Sequence, residues 1–501
     1  MWAIVKPSHL RYAESMSDEL LPAGVLPEDW AATPPSVRAL VRALLATVEA
    51  QQKRIAELEA GVAELEERLE QTSRNSSKPP SSDPPSSKPR PPRVPSGRKV
   101  GGQPGHAGHG RKLEAARVTR VVELRPTTCA GCGVLLLGED LHPARRQVTE
   151  VPRVEPETTE YRQHTLTCLH CHRRTTAAWP AEVPAGSFGP RLQATVGYLT
   201  GRLGISQRDT VELLDTVFHT DLSLGSLPAV ETQVSSALAA PVAEAVDYVQ
   251  ARPTNNVDET GWPLGPQRGW LWVNVTAFVT VFFVLTSRSA AAARQVIGTL
   301  NDKIVGSDRY SAYSWIIVWL RQVCWAHLRR DFQAMVERGG ESQRIGQALL
   351  AQAEQLFTFW HRVRDGTLSR ADFQAQAQPL RQRVGELLRE GAQVAHPKTA
   401  PTCTKILQVE AALWTFVDHE GVEPTNNAAE RALRRAVLWR RRSFGTQSET
   451  GRRFVERILT AVTTLRQQHR DVLDFLTDAC AAAIAKRPAP SLLPNTQALT
   501  S

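Results

Sequence analysis

No apolar run in the 501 residues reaches the roughly 18 that a membrane-spanning helix needs. The first 30 residues also lack a basic stretch followed by an apolar core, so neither a span nor a secretory leader is expected, and a cytoplasmic protein is. Cysteine is scarce: seven residues, of which Cys324, Cys403 and Cys480 are scattered and the other four form two C-x-x-C pairs. That distribution excludes a disulfide framework and suits a reducing compartment with one metal site. Acids are in deficit, with 51 Asp and Glu against 60 Lys and Arg, a formal net charge of +9 and a pI near 9.4. The imbalance favours an anionic partner, nucleic acid or a membrane surface.

What is present is ordinary in bulk and specific in detail. A hydrophobic share of 42% over this length is enough for roughly three domains, each with its own core. Residues 1–35 show no clear period and are left unassigned. Over 36–70, Val41, Val48, Ile55, Val62 and Leu69 fall at heptad a positions and Val37, Leu44, Leu58 and Leu65 at d, with Gln51 interrupting the seam. β-Branched residues at a with Leu at d predict a parallel homodimeric coiled coil, a lone amphipathic helix being the alternative. Residues 71–115 are rich in Pro, Ser, Gly, Lys and Arg and predict a basic linker able to touch phosphates or merely to space the domains.

Cys129-x-x-Cys132 and Cys168-x-x-Cys171 are spaced to bite one tetrahedral Zn2+, predicting a four-cysteine zinc ribbon over 116–180 with a hairpin between the two knuckles. His170 and His172 are alternative ligands. Residues 181–250 carry a helical period broken at Gly204 and around 221–226, and the order helix, turn, helix near Ile205–Ala229 admits a DNA-reading motif or plain helical packing.

The stretch Asn255–Trp262 leads into GWLWVNVTAFVTVFFVLTSR, two runs of β-branched and aromatic residues that read as consecutive strands, followed by a helix near 290–301 and a short strand ending at Asp308. Asp258 and Asp308, each at a strand end in βββαβ order, offer the hard oxygen ligands that a two-cation phosphoryl-transfer site requires. Either alone is as well explained by a turn. Glu430, followed by Arg431, Arg434 and Arg435 and then by Arg440, Arg441 and Arg442, is a third acid beside cations. Asn427-x-x-Glu430 is equally a capping box with Asn427 as N-cap.

Taken together, RNSSKPPSSD with GGQPGH, the cysteine module, VDETGW, SDRYSAY, CWAHLRRDF and TNNAAERALR resemble the DDE transposases of the insertion sequence 66 family, from the coiled coil to about residue 485. The resemblance implies a multidomain α+β chain: N-terminal coiled coil, zinc ribbon, helical DNA-binding region, and a ribonuclease-H-like α/β catalytic core. That core comprises 251–332 and 421–485, split by a helical insertion over 333–420, with a tail at 486–501. It implies Asp258, Asp308 and Glu430 as the acid triad holding two Mg2+ or Mn2+ ions, and makes capping the lesser reading of Glu430. Expected partners are double-stranded DNA, both terminal repeats and target, a second copy of the chain, and accessory proteins of the same element; the setting is bacterial and nucleoid-associated. Arg431, Arg434, Arg435, Arg441 and Arg442 are candidates for DNA-backbone contact, against a solvated basic helix face. His327, of Cys324-x-x-His327, is a further catalytic candidate near the scissile phosphate, with a metal-ligand pair or a core strand end as alternatives; Arg288 and Tyr310 are weaker candidates. The functional alternative is a zinc-dependent DNA-binding protein descended from a transposase that no longer cuts.

Overall fold

The computed structural model describes residues 25–70 and 115–494, in two compact units divided near residue 87. The expected basic linker and the unassigned first two dozen residues lie outside the described residues. In the first unit a short helix α1 (Pro27–Ala32) precedes α2, a single 36-residue helix Pro35–Glu70. Its apolar seam, Val37, Leu44, Val48, Ile55, Leu58 and Val62, is exposed. No helix among the described residues is long and apolar enough to cross a membrane.

The second unit is mixed α and β. It begins with a two-stranded hairpin, β1 (Thr165–Thr167) and β2 (Arg174–Thr176), then the helices α3 (Pro190–Gly197), α4 (Gln207–Phe218), α5 (Leu227–Ala237) and α6 (Ala239–Ala251). A π-helical segment, Tyr198–Leu203, follows α3 and ends at Gly204 in the left-handed region. Of the two helices that a helix-turn-helix reading would pair, α5 buries Leu227, Val230 and Val234, whereas α4 leaves most of its surface exposed. The opposite face of α5, with Thr232, Gln233 and Ser236, is exposed.

A five-stranded sheet follows, formed by β3 (Thr254–Gly261), β4 (Trp270–Val275), β5 (Thr280–Leu285), β6 (Ile304–Ser307) and β7 (Arg321–Val323) in the order β5-β4-β3-β6-β7. Only β4 runs against the others. The two faces are covered differently, which explains the nearly continuous apolar runs of β4 and β5. On one face α7 (Ala290–Ile297) packs Ala293, Val296 and Ile297 against Val257, Trp272 and Val305. On the other, α13 (Asn427–Ser443) and α14 (Glu449–Gln467) bring Ala429, Leu433, Ala436, Val455 and Leu459 onto Leu271, Val273 and Phe282.

The free edge of β5 is closed by side chains of α14 instead of a further strand. Glu456 Oε1 accepts from Val284 N–H, Thr460 Oγ1 from Phe282 N–H, and Thr464 Oγ1 from Thr280 N–H, at 2.7, 3.0 and 3.1 Å. Acceptors four residues apart on one helix stripe thus match donors two residues apart on the strand, which blunts an edge otherwise open to pairing.

Between β7 and α13 lies a helical lobe of α8 (Trp325–Glu337), α9 (Gly340–Arg364), α10 (Arg370–Ala392), α11 (Thr399–Leu407) and α12 (Thr415–Asp418), built around Phe332, Leu349, Trp360, Phe373, Leu387 and Trp414. The final helix α15 (Val472–Ile484) joins α3, α5, α6 and α14 around Leu214, Val234, Ile458 and Leu476.

Candidate metal centre and its surroundings

Strand alternation sorts β3 into two sets: Asn255, Val257 and Glu259 face α7 and are buried, whereas Asn256, Asp258 and Thr260 point to the face covered by α13. β3 and β6 are parallel neighbours, with Thr254 beside Ile304 and Asn256 beside Gly306. Carried two residues further, this register sets Asp258 beside Asp308, on chains about 4.8 Å apart. A Cβ on Gly306 would collide with the Asn256 side chain, so the glycine keeps the strands at this spacing beneath the two acids.

Glu430 arrives from α13, and the way that helix starts differs from the capping-box expectation. Its N-cap is Asn426, one residue earlier, and the cap makes no side-chain bond to the helix. Instead Asn426 Nδ2 donates to Val257 O at 2.8 Å and Asn426 N–H donates to Cys324 Sγ at 3.1 Å, pinning the start of α13 to β3 and to the start of α8. Arg440 holds the other end by donating to Thr260 Oγ1 and Gly261 O. Because the helix begins a residue earlier than the capping box requires, Glu430 turns away from the cap, and its buried Oε1 has no hydrogen-bond partner.

Electrostatics follow from the crowding. Burial, and then the charges of Glu259, Asp308 and Glu430, hold the Asp258 carboxyl well above its ordinary range, against one opposing bond from Glu259 N–H at 2.9 Å. Asp308 Oδ1 accepts from Tyr310 N–H at 2.9 Å, and its carbonyl accepts from Arg321 Nη2 at 2.6 Å. His327 stands in the first turn of α8, not at a strand end, with Nδ1 3.6 Å from Glu430 Oε1. Burial, then the neighbouring Arg330, lowers its pKa, so the ring is neutral near pH 7. Arg330 Nη2 lies 3.5 Å from the same carboxylate oxygen. One ligand atom each from Cys324, His327 and Glu430 lie within 4.8 Å of one another. Burial pushes the Cys324 thiol up to about 11, so it serves here as the uncharged acceptor for Asn426 N–H. Glu430 thus has Arg330 as its nearest cation, and among the described residues one oxygen each from Asp258, Asp308 and Glu430 do not all come within 4.8 Å of one another, although Asp308 and Glu430 are close enough to raise the Asp258 carboxyl.

The sequence alone does not single out Glu259. Its side chain is fully buried behind Asp258, paired with Arg288 Nη2 at 2.7 Å and hydrogen-bonded by the Tyr313 hydroxyl. Arg288 in turn stacks over Tyr310, 3.7 Å from the ring centre, and over Trp270 at 4.9 Å. Arg288 therefore bears on the acids through the buried Glu259, and Tyr310 through its own N–H to Asp308 as well as its ring under Arg288. Removing Arg288 strands a carboxylate in the core. An Arg288→Ala protein is expected to lose roughly 3 kcal/mol of stability in urea unfolding, and an unchanged midpoint would show that Tyr313 alone satisfies Glu259.

Arg431, Arg434, Arg435, Arg441 and Arg442 are all exposed on α13. Among the cysteines, Gly131 and Cys132 N–H groups lower the Cys129 thiol, and Cys171 and His170 N–H groups lower Cys168, so the first thiol of each pair is shifted toward thiolate. Cys168–Cys171 sits in the turn of the β1–β2 hairpin, and a bridge between Thr128 and Leu135 encloses Cys129–Cys132. The hairpin expected between the knuckles thus surrounds them instead, because each turn needs its own backbone pairing to aim N–H groups at sulfur. Among the described residues, three sulfurs from the two pairs do not come within 4.8 Å of one another.

Acids on neighbouring parallel strands and a third on a packed helix, with His327 and Arg330 beside it, make a candidate divalent-metal site. The chain belongs to the transposase IS66 family, whose model matches residues 185–453. Residues 32–112 match a family of unknown function. The chain is also similar to two proteins of Sinorhizobium fredii bearing the names "Uncharacterized protein y4hP" and "Uncharacterized protein y4qI". The first is 25% identical over 413 residues, covering 74% of this chain and 73% of the relative. The second is 26% identical over 422 residues, covering 76% and 75%.

Proposed function

We propose that this chain is a DDE transposase that cuts the ends of its own insertion sequence and joins them to target DNA, with Asp258, Asp308 and Glu430 holding two Mg2+ or Mn2+ ions in a ribonuclease-H-like core. The observation that carries the reading is the β3–β6 register, with Glu430 brought over it by α13. The strand order, with β4 alone reversed, supports the core assignment. The Asp258 carboxyl, raised by burial and by the nearby charges of Glu259, Asp308 and Glu430, supports a site that a cation would relieve. When bound, the ions would polarise the scissile phosphate and activate first water and then the freed 3′-hydroxyl. The protein's own part is positioning. Asn426 and Arg440 fix α13 on β3, Arg321 and Tyr310 fix the Asp308 backbone and carboxylate, and the neutral His327 stands beside Glu430, able to accept a hydrogen bond or proton from the substrate side. Exposed arginines of α13 would neutralise the backbone. The test is cleavage of DNA carrying the element's ends, in Mg2+, by wild type beside Glu430→Gln. Equal cutting by both would remove Glu430 from the site.

The α2 seam would pair with that of a second copy, and the two cysteine knuckles would close on one Zn2+ by moving together. Metal analysis is expected to find about one zinc per chain, lost in Cys168→Ser. A folded wild-type preparation containing no zinc would dispose of the ribbon.

A further inference from the structure

A cavity of about 460 Å3 opens between the π-helical segment Tyr198–Leu203, α13 and α14. Its lining includes Arg202, Arg431, Arg435, Arg442, Arg466 and Trp439, and no acid. Arg441 lines it too, and among the described residues none of the six guanidinium groups has an ion-pair or side-chain hydrogen-bond partner, with Arg202 Nε buried without one. Burial, and then the charges of Arg435 and Arg466, lowers the Arg202 pKa, as expected where cations face each other with no counter-ion.

A solvated basic face would spread such charges into water, but here the backbone draws one of them in. The π-helix is rare and recurs at functional sites. This one packs tightly on α14, since a Cβ on Gly201 would overlap Ile458. Arg202 then faces α13 across the cavity. On α13, at about 100° per residue, Arg431, Arg435 and Arg442 lie about 100 to 140° around the helix from Glu430. The cavity is thus on a different face from the acids. A guanidinium fork matches phosphate oxygens in pairs, and the apolar Trp439 and Val462 beside it suit a sugar better than a bare inorganic ion.

We propose that this cavity is a second anion site, separate from the acid cluster, that grips the sugar–phosphate backbone of a DNA strand. The nature of the strand rests on the transposase reading; the existence of the anion site does not.

The test uses the full chain with Arg202→Gln and Arg466→Gln combined. Relief of like-charge repulsion should leave its melting temperature no lower than wild type; if it does not fold, Arg466→Gln alone, at an exposed position, carries the same readouts. Pyrophosphate is expected to raise the melting temperature of wild type by a few degrees and of the double variant hardly at all. Binding to a duplex of arbitrary sequence should weaken about tenfold, and the slope of log affinity against log salt should shrink by roughly 2, at ~0.9 for each phosphate no longer neutralised. Loss of the pyrophosphate shift with unchanged duplex binding would keep the anion site but overturn DNA as its occupant. No difference from wild type in either arm would overturn the site itself. An Asp258→Asn protein that still cuts would sink the enzyme reading without touching either arm.

Discussion

Asp258→Asn is expected to reduce DNA end cleavage by at least about a thousandfold, since one metal-holding charge at the centre of a phosphoryl-transfer site is worth several kcal/mol in the transition state, while duplex affinity changes less than about twofold. The asymmetry follows from geometry. Asp258 lies beneath α13, on the covered face of the sheet, whereas the exposed arginines on α13 hold the charges that would meet DNA. The amide preserves shape and can still accept from Glu259 N–H, so β3 and its pairing with β6 should persist. Cleavage and binding measured on the same preparation decide the matter. A parallel loss of both would make Asp258 a structural residue, and undiminished cleavage would remove the proposed mechanism, leaving the alternative of a DNA-binding descendant that no longer cuts.

The parts of this arrangement differ in how far the sequence makes them legible. The strands around Val257, Trp270 and Val281 announce themselves by β-branched and aromatic runs, and the helix at 290–297 by the spacing of its alanines and Val296, because in these stretches local preference and burial agree. The helical stretch 333–420 is legible for the same reason. The start of α13 is not, because Asn426 gives its side chain to Val257 instead of to its own helix, and a tertiary bond displaces a local cap by one residue. Glu259 hides beside Asp258 for a related reason: parity tells that neighbours on a strand face opposite sides, but only the packing of α7 shows that the far side is closed. The π-helical turn seats Gly201 against Ile458, more than 250 residues away, and no local pattern encodes that contact. The cysteine pairs are legible from their spacing alone, while the path between them, whose Leu135, Leu137, Leu141, Val148 and Val151 are left exposed, has its pairing unspecified.

Metal-free protein is expected to lose stability as pH rises through the range above the ordinary carboxylate pKa, and added Mg2+ is expected to restore it. The sign follows from the Asp258 carboxyl, which burial and three neighbouring acids hold well above the value of an unfolded aspartate. Between those two values the folded chain retains a proton that the unfolded chain has released. The native state therefore binds more protons, and the free energy of unfolding falls with rising pH, by at most about 1.4 kcal/mol per pH unit for a single group. Glu231, Glu259 and Glu456 are also raised, chiefly by burial, and tilt the curve the same way. The informative quantity is accordingly the difference between wild type and Asp258→Asn. The variant should melt higher than wild type at pH 8 without metal, show a shallower decline from pH 5 to pH 8, and gain little from Mg2+, whereas wild type should gain more at pH 8 than at pH 5, where protonation of Asp258 competes with the cation. Melting curves at both pH values, with EDTA or Mg2+, give all four comparisons. Identical slopes and identical Mg2+ responses in the two proteins would mean that the acids repel one another too weakly to need a cation, and the proposed metal centre would lose its electrostatic basis.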